Sequence, residues 1–394
     1  MKTSIPYGKH YIDQDDIDAV VDVLENHPLT QGKKVSDFED AIAEFVGAKY
    51  AVAMSSWTAG LHMACIAAWV NDSNAVVTSP ITFVASSNAV LYCGAEVIFS
   101  DIDKSTINLC PEELRATVKK HKNIKAIIPV HFSGLPCDME SIKKTADGIN
   151  ALVIEDAAHA LGATYPDGSK VGSCKYSDMT GFSFHPVKSI AAGEGGMITT
   201  NDQAIYKKLL RLRSHGINKL DDDFIDKAAA VTGADNNPWY MEMQELGYNY
   251  RITDIQAALG ESQLKKLPRF LDRRRQLAKR YDQLFSDIAQ IEPIQSSYRD
   301  QSSHHLYVIR VKYEFIGITR AKLMAELETE GILTQVHYIP VTSHPYYKNL
   351  GFKSVDYPRA VTFYCQALSL PLFFTLTNVE QDKVVNTLKR ILSL

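Results

Sequence analysis

Between residues 35 and 200, short apolar runs rich in β-branched residues alternate with longer stretches of helical period. The short runs at 50–54, 75–78, 96–99, 126–130 and 152–154 predict strands, and the stretches at 59–70, 85–91, 111–121 and 139–148 predict helices. Runs such as Ala75-Val76-Val77 carry no polar face, as in strands buried on both sides. Regular alternation with helices then implies a mainly parallel sheet covered on both faces. Further runs at 179–184 and 197–199 predict that the sheet closes with closely connected strands. Ligands of such sheets sit at the carboxyl ends of the strands, so polar residues there come first as candidates.

Beyond residue 218 the pattern changes. Residues 218–247 are polar and weakly periodic, and predict an excursion over the surface or over a partner subunit. A helix at 254–266 and another at 268–285 follow, with Pro268 suited to a helix start. Strands at 305–312 and 334–338, with helices near 320–330 and at the C-terminus, complete a smaller α+β unit. The length of 394 residues exceeds what one core organises, so two domains are expected, 1–255 and 256–394.

Composition narrows the functional classes. With 45% hydrophobic and 22% charged residues and a net charge of −4, the chain suits neither nucleic acid nor an acidic membrane surface. Residues 1–10 lack the apolar core of a secretory signal, and no apolar stretch reaches the roughly 20 residues of a membrane span. The six cysteines are scattered and the histidines show no metal-ligand spacing. A disulfide framework or metal site is therefore not expected, and the cytoplasm is the expected location.

Chemistry concentrates at the end of the 152–154 run, which leads into Glu155-Asp156-Ala157-Ala158-His159. An acid there caps a helix or reaches a ligand over the sheet. Lys188 follows in Phe182-Ser183-Phe184-His185-Pro186-Val187-Lys188, just ahead of the glycines 193, 195 and 196. A lysine alone is ordinarily solvated surface. Apolar neighbours and a glycine-rich turn instead predict a partly desolvated amine with a lowered pKa. An aspartate and such a lysine are what a pyridoxal 5′-phosphate (PLP) enzyme needs. The lysine forms a Schiff base with the aldehyde, and the aspartate keeps the pyridine nitrogen protonated. Ser183 is suited to donate to a phosphate.

The segments 155–160 (EDAAHA), 182–196 (FSFHPVKSIAAGEGG) and 246–260 (LGYNYRITDIQAALG) strongly resemble the DegT/DnrJ/EryC1/StrS family of sugar aminotransferases. The resemblance runs from about residue 5 to 370. It implies PLP-dependent transferase fold type I, the aspartate-aminotransferase α/β architecture with a mainly parallel sheet, and a homodimer. It implies roles for Lys188 as the covalent anchor and proton shuttle and for Asp156 as the pyridinium partner. It places His159 at the ring hydroxyl, Phe83 on the pyridine face, and Thr58 and Ser183 at the phosphate. Asn249 would reach the phosphate bound in the neighbouring subunit. One departure stands out: Trp57 occupies a place in the phosphate-binding turn 55–61 where the family usually has a small residue.

The segments 213–217, 238–240, 335–341, 344–347 and 367–372 resemble one branch, the PseC-type transaminases of pseudaminic acid biosynthesis. His337 and Tyr338 would then contact the sugar nucleotide, a packed strand end being the alternative reading of the residues. The implied substrate is UDP-2-acetamido-2,6-dideoxy-β-L-arabino-hexos-4-ulose, aminated at C4 with L-glutamate as donor. Two half-reactions in one site predict ping-pong kinetics. Another nucleotide-sugar 3- or 4-aminotransferase, a PLP-dependent sugar dehydratase, an amino-acid aminotransferase and a non-catalytic sensor of the same fold stay open. So do the product's C4 stereochemistry and the arginine that meets the donor carboxylate, for which Arg251 is the candidate.

Overall fold

The computed structural model describes residues 4–219 and 224–393. Its centre is a seven-stranded sheet of β1 (Tyr50–Met54), β2 (Ala75–Thr78), β3 (Glu96–Phe99), β4 (Ile124–Ile128), β5 (Leu152–Asp156), β6 (Met179–Ser183) and β7 (Gly196–Thr200). The spatial order is β1-β7-β6-β5-β4-β2-β3, and only β7 runs antiparallel to its neighbours. The expected mainly parallel sheet is therefore present, and its last strands are closely connected as expected. The fourth strand begins two residues before its expected start, at Ile124, and Val130 is left to bridge to Asp156.

Period-two alternation divides the strand residues between two apolar layers. Ala51, Ala53, Val77, Ile127 and Val153 face one layer, and Val52, Met54, Val76, Ile128 and Ile154 face the other. The first layer is covered by α2 (Lys33–Val46), α5 (Pro111–Lys120) and α6 (Met139–Asp147). The second is covered by α3 (Trp57–Ala67), α4 (Ala85–Tyr92) and α7 (Gln203–Arg213).

Two elements differ from expectation. The segment 254–285 is one helix, α8 (Asp254–Phe285), with Pro268 inside it. Leu264, Leu267 and Leu271 lie buried on both sides of the proline in the layer that covers the sheet. Continuous burial outweighs the ~3 kcal/mol that an interior proline costs. The segment 334–338 forms no strand. It makes a single bridge, Gln335 with Ser369, and then turns inward. The chain also opens with α1 (Gln14–Asn26), which the polar-rich sequence did not suggest. Its buried Asp16 accepts hydrogen bonds from Ser262 at 2.6 Å and Gln263 at 2.7 Å of α8.

A second core gathers around the far half of α8. Leu277, Tyr281 and Phe285 pack there with Ile5, the strand Tyr307–Val311 and the helices Arg320–Thr329 and Asn378–Ile391. Ile5 pairs with Ile332, which ties the N-terminal segment to this unit. Of the excursion, the strand Ile217–Lys219 pairs with Met241–Met243 and the hairpin Val231–Thr232 with Asp235–Asn236, while 220–223 lie outside the described residues.

Candidate active site

Asp156 is the last residue of β5, where the strand's carboxyl end opens over the sheet. Its neighbour Glu155 points to the opposite face, as strand geometry requires. There it is fully buried and accepts from His131 at 2.6 Å, Tyr165 at 2.5 Å, Thr180 at 2.9 Å and also Ser177. Of the two acids in this motif, one serves the core and one reaches the cavity.

Asp156 and Lys188 line the same cavity of about 420 Å³, within the range of cofactor pockets. Its wall also holds Thr58, Phe83, His159, Ser183, His337 and Tyr338. Eight of the nine sequence-selected residues thus converge, although they come from five separate stretches of chain. The exception is Asn249, which is exposed and does not line this cavity.

The Asp156 carboxylate is held on both oxygens. Oδ1 accepts from the Trp57 indole N–H at 2.8 Å and the Ala158 N–H at 3.2 Å. Oδ2 accepts from the Ser86 hydroxyl at 2.6 Å, and Thr82 stands 2.8 Å behind Ser86. Phe83 sits between Thr82 and Ser86, so this relay ties the ring's position to the carboxylate. Phe83 is 61% exposed, which leaves its face available to a ligand.

Lys188 lies on the irregular loop between β6 and β7, whose first turn is closed by its N–H donating to the His185 carbonyl at 2.9 Å. Burial lowers the pKa of its amine to about 8, against the opposing pull of Asp156. The amine makes no hydrogen bond or ion pair among the described residues. Around it stand imidazoles that cannot readily charge. Burial pushes His159 and His305 well below the ordinary histidine value, and His337 to about 3, with Lys188 adding repulsion in each case. His305 packs against His159 with the rings tilted by 37° and centroids 4.3 Å apart, and Tyr338 places its hydroxyl 3.2 Å from His159 Nε2.

Thr58 belongs to the first turn of α3, where Ser56 caps the helix by accepting from the Ala59 N–H at 3.2 Å. The first N–H groups of a helix lack intrahelical acceptors and suit an anion. Ser183 ends β6 on the same wall.

These residues fit PLP. His159 Nδ1 is buried without a partner, and the Lys188 amine is likewise uncommitted. A carboxylate, an amine of lowered pKa, an exposed aromatic face and a helix N-terminus match the cofactor's ring nitrogen, aldehyde, ring and phosphate. Sequence reasoning missed Tyr7, Ser86 and His305, whose places depend on distant packing. The His304–His305 doublet was the one visible signal, since only His305 lines the cavity. Arg251 lies elsewhere, in a second cavity with Glu39 and Arg213, and no arginine appears among the described residues lining the first.

Comparison with known proteins agrees with this geometry. Residues 10–389 match the DegT/DnrJ/EryC1/StrS aminotransferase family. The spore coat polysaccharide biosynthesis protein SpsC of Bacillus subtilis is 39% identical over 391 residues, covering 98% of this chain and 97% of that protein. The UDP-4-amino-4,6-dideoxy-N-acetyl-β-L-altrosamine transaminase of Campylobacter jejuni is 38% identical over 389 residues, covering 98% and 97%. Among solved structures, Helicobacter pylori PseC, an aminotransferase of pseudaminic acid biosynthesis, superposes with a TM-score of 0.89 at 31% identity. That match covers 99% of this chain and 100% of PseC. The fold is that of PLP-dependent transferases of type I, and pyridoxal phosphate is the cofactor. The chain belongs to the DegT/DnrJ/EryC1/StrS aminotransferase family.

Proposed function

We propose that this protein transfers the amino group of L-glutamate to C4 of a UDP-linked 4-keto-6-deoxy-N-acetylhexosamine. The substrate is UDP-2-acetamido-2,6-dideoxy-β-L-arabino-hexos-4-ulose, and the setting is pseudaminic acid biosynthesis in the cytoplasm. The observation that carries this reading is Lys188 and Asp156 in one cavity with the His337–Tyr338 pair. Similarity to the Campylobacter transaminase and to PseC supports the sugar.

PLP supplies the electron sink that makes a bond at the donor's α-carbon labile. The protein's part begins with Lys188, whose lowered pKa of about 8 makes far more free amine accessible near neutrality than an ordinary lysine has, to hold the aldehyde and then to carry a proton at the α-carbon. Asp156 pairs with the protonated ring nitrogen. Phe83 stacks on the ring, His159 contacts its hydroxyl, and Thr58 and Ser183 hold the phosphate. His337 and Tyr338 orient the sugar nucleotide. Neutral histidines around the amine keep that region free of competing cations.

Asn249, exposed in its own subunit, reaches the phosphate bound by a partner, so the working unit is a homodimer. We assign a cofactor-binding domain to 1–255 and a small domain to 256–394; separate cores support two units, with the first half of α8 packed on the sheet and Ile5 packed on the smaller unit. Similarity to SpsC supports an alternative sugar within the same chemistry.

The test is a panel of UDP- and dTDP-linked 4-keto-6-deoxy sugars offered with PLP and glutamate, with products followed by mass spectrometry. Amination of the L-arabino UDP sugar is expected. Preference for another keto sugar would overturn the substrate and leave the transamination.

A further inference from the structure

We infer that Trp57 is a positioning residue for Asp156, whose carboxylate its indole N–H holds as an acceptor turned toward the cavity. The inference rests on the reading above that Asp156 meets the cofactor's ring nitrogen. Trp57 is the first residue of α3 and only 6% exposed, and Asp156 is 5% exposed. Their contact of 2.8 Å is therefore shielded from water. An indole nitrogen only donates, so Oδ1 can only accept. With the Ala158 N–H as well, Oδ1 has both acceptor positions filled. Oδ2 takes the Ser86 hydroxyl alone, which leaves it one free acceptor direction. Oδ2 is thus the oxygen left for a ring N–H.

The surrounding backbone is shaped for this tryptophan. A Cβ at Gly181 would overlap the six-membered ring of the indole, and one at Gly60 would lie 2.6 Å from its Cε3. Two glycines on different elements thus clear the space that the ring fills. The indole and Ala158 N–H groups only donate, so a proton on Oδ1 would meet a donor head-on, and all three donors facing the carboxylate call on its oxygens as acceptors. The proton shared with the ring is thereby kept on the ring, where it makes the electron sink effective.

The experiment compares apoprotein and PLP-loaded forms of wild type, Trp57→Phe and Asp156→Asn. Phenylalanine keeps an aromatic filler and loses the N–H. PLP affinity is measured by absorbance titration, together with the pH midpoint of the bound cofactor's spectrum. Trp57→Phe is expected to weaken PLP binding about tenfold, the effect of losing one hydrogen bond to a charged group, and to move the spectral midpoint. Wild-type affinity with an unmoved midpoint would overturn the inference and make Trp57 a packing residue. If Asp156→Asn also leaves both unchanged, the Asp156 reading fails and takes the inference with it. Benzothienylalanine at position 57 keeps the ring shape without the N–H. It decides by the same two outcomes if the phenylalanine variant does not fold.

Discussion

The Tyr338 hydroxyl stands 3.2 Å from Nε2 of His159, joining the inward-turning segment after residue 334 to the end of β5. Burial raises the pKa of Tyr338, so the phenol stays protonated and its hydroxyl remains a donor. Tyr338→Phe removes that group from both His159 and the sugar subsite. We expect the KM for the keto sugar to rise several-fold, to about tenfold, with a smaller change in the half-reaction with glutamate. Separate measurement of the two half-reactions checks this; equal losses in both would place Tyr338 at the cofactor instead.

Lys188 carries a pH signature. Burial depresses its pKa to about 8, so the apoprotein's amine is protonated below that pH and free above it. The rate of PLP capture by apoprotein is expected to rise through about pH 8. An unfolded lysine keeps its proton to a higher pH, so this group also favours folding increasingly from about pH 8 toward the ordinary lysine value. Stopped-flow absorbance across pH 6 to 10 gives the midpoint, and one at the ordinary lysine value would contradict the burial argument.

Glu155 is expected to matter to folding more than to chemistry. Four donors converge on its buried carboxylate, and Glu155→Gln would turn an amide N–H₂ toward some of them. A loss of about 2–4 kcal/mol in urea denaturation of the apoprotein is expected. A change under 0.5 kcal/mol would mean that the donors find other partners.

Gly181 and Trp57 should couple. Gly181→Ala places a methyl against the indole and is expected to cost about 1–3 kcal/mol of overpacking. Combined with Trp57→Ala, most of that cost should vanish, because the ring it meets is gone. Additive losses in a double-mutant cycle would show that the methyl clashes with backbone rather than with Trp57.

A shared active site has its own test. Lys188→Ala and Asn249→Asp are each expected to be inactive, yet mixing and refolding them together should restore activity. In the mixed dimer one site combines an intact Lys188 with an intact Asn249. No recovery, with dimers present by sedimentation, would confine the site to one subunit.

Much of this was legible in the sequence because the signals are local. The strand ends of the sheet follow from apolar runs, and the Asp156 and Lys188 stretches are contiguous motifs. What escaped depends on distance. Trp57 and Asp156 lie 99 residues apart, and nothing local marks the tryptophan as a donor to the aspartate. His305 reaches the cavity by packing on His159. Pro268 carries a true local signal for a break, which burial of Leu264, Leu267 and Leu271 overrides. The residues 334–338 have β propensity, but only Gln335 finds a partner strand, and His337 and Tyr338 line the cavity.

The most direct measurement is the first half-reaction alone. PLP-loaded protein mixed with L-glutamate, without keto sugar, is expected to lose the absorbance of the lysine-bound cofactor and release one equivalent of 2-oxoglutarate per site. Lys188→Ala should release none. Unchanged absorbance with no 2-oxoglutarate from the wild-type protein would contradict an aminotransferase using glutamate and favour a dehydratase or a sensor.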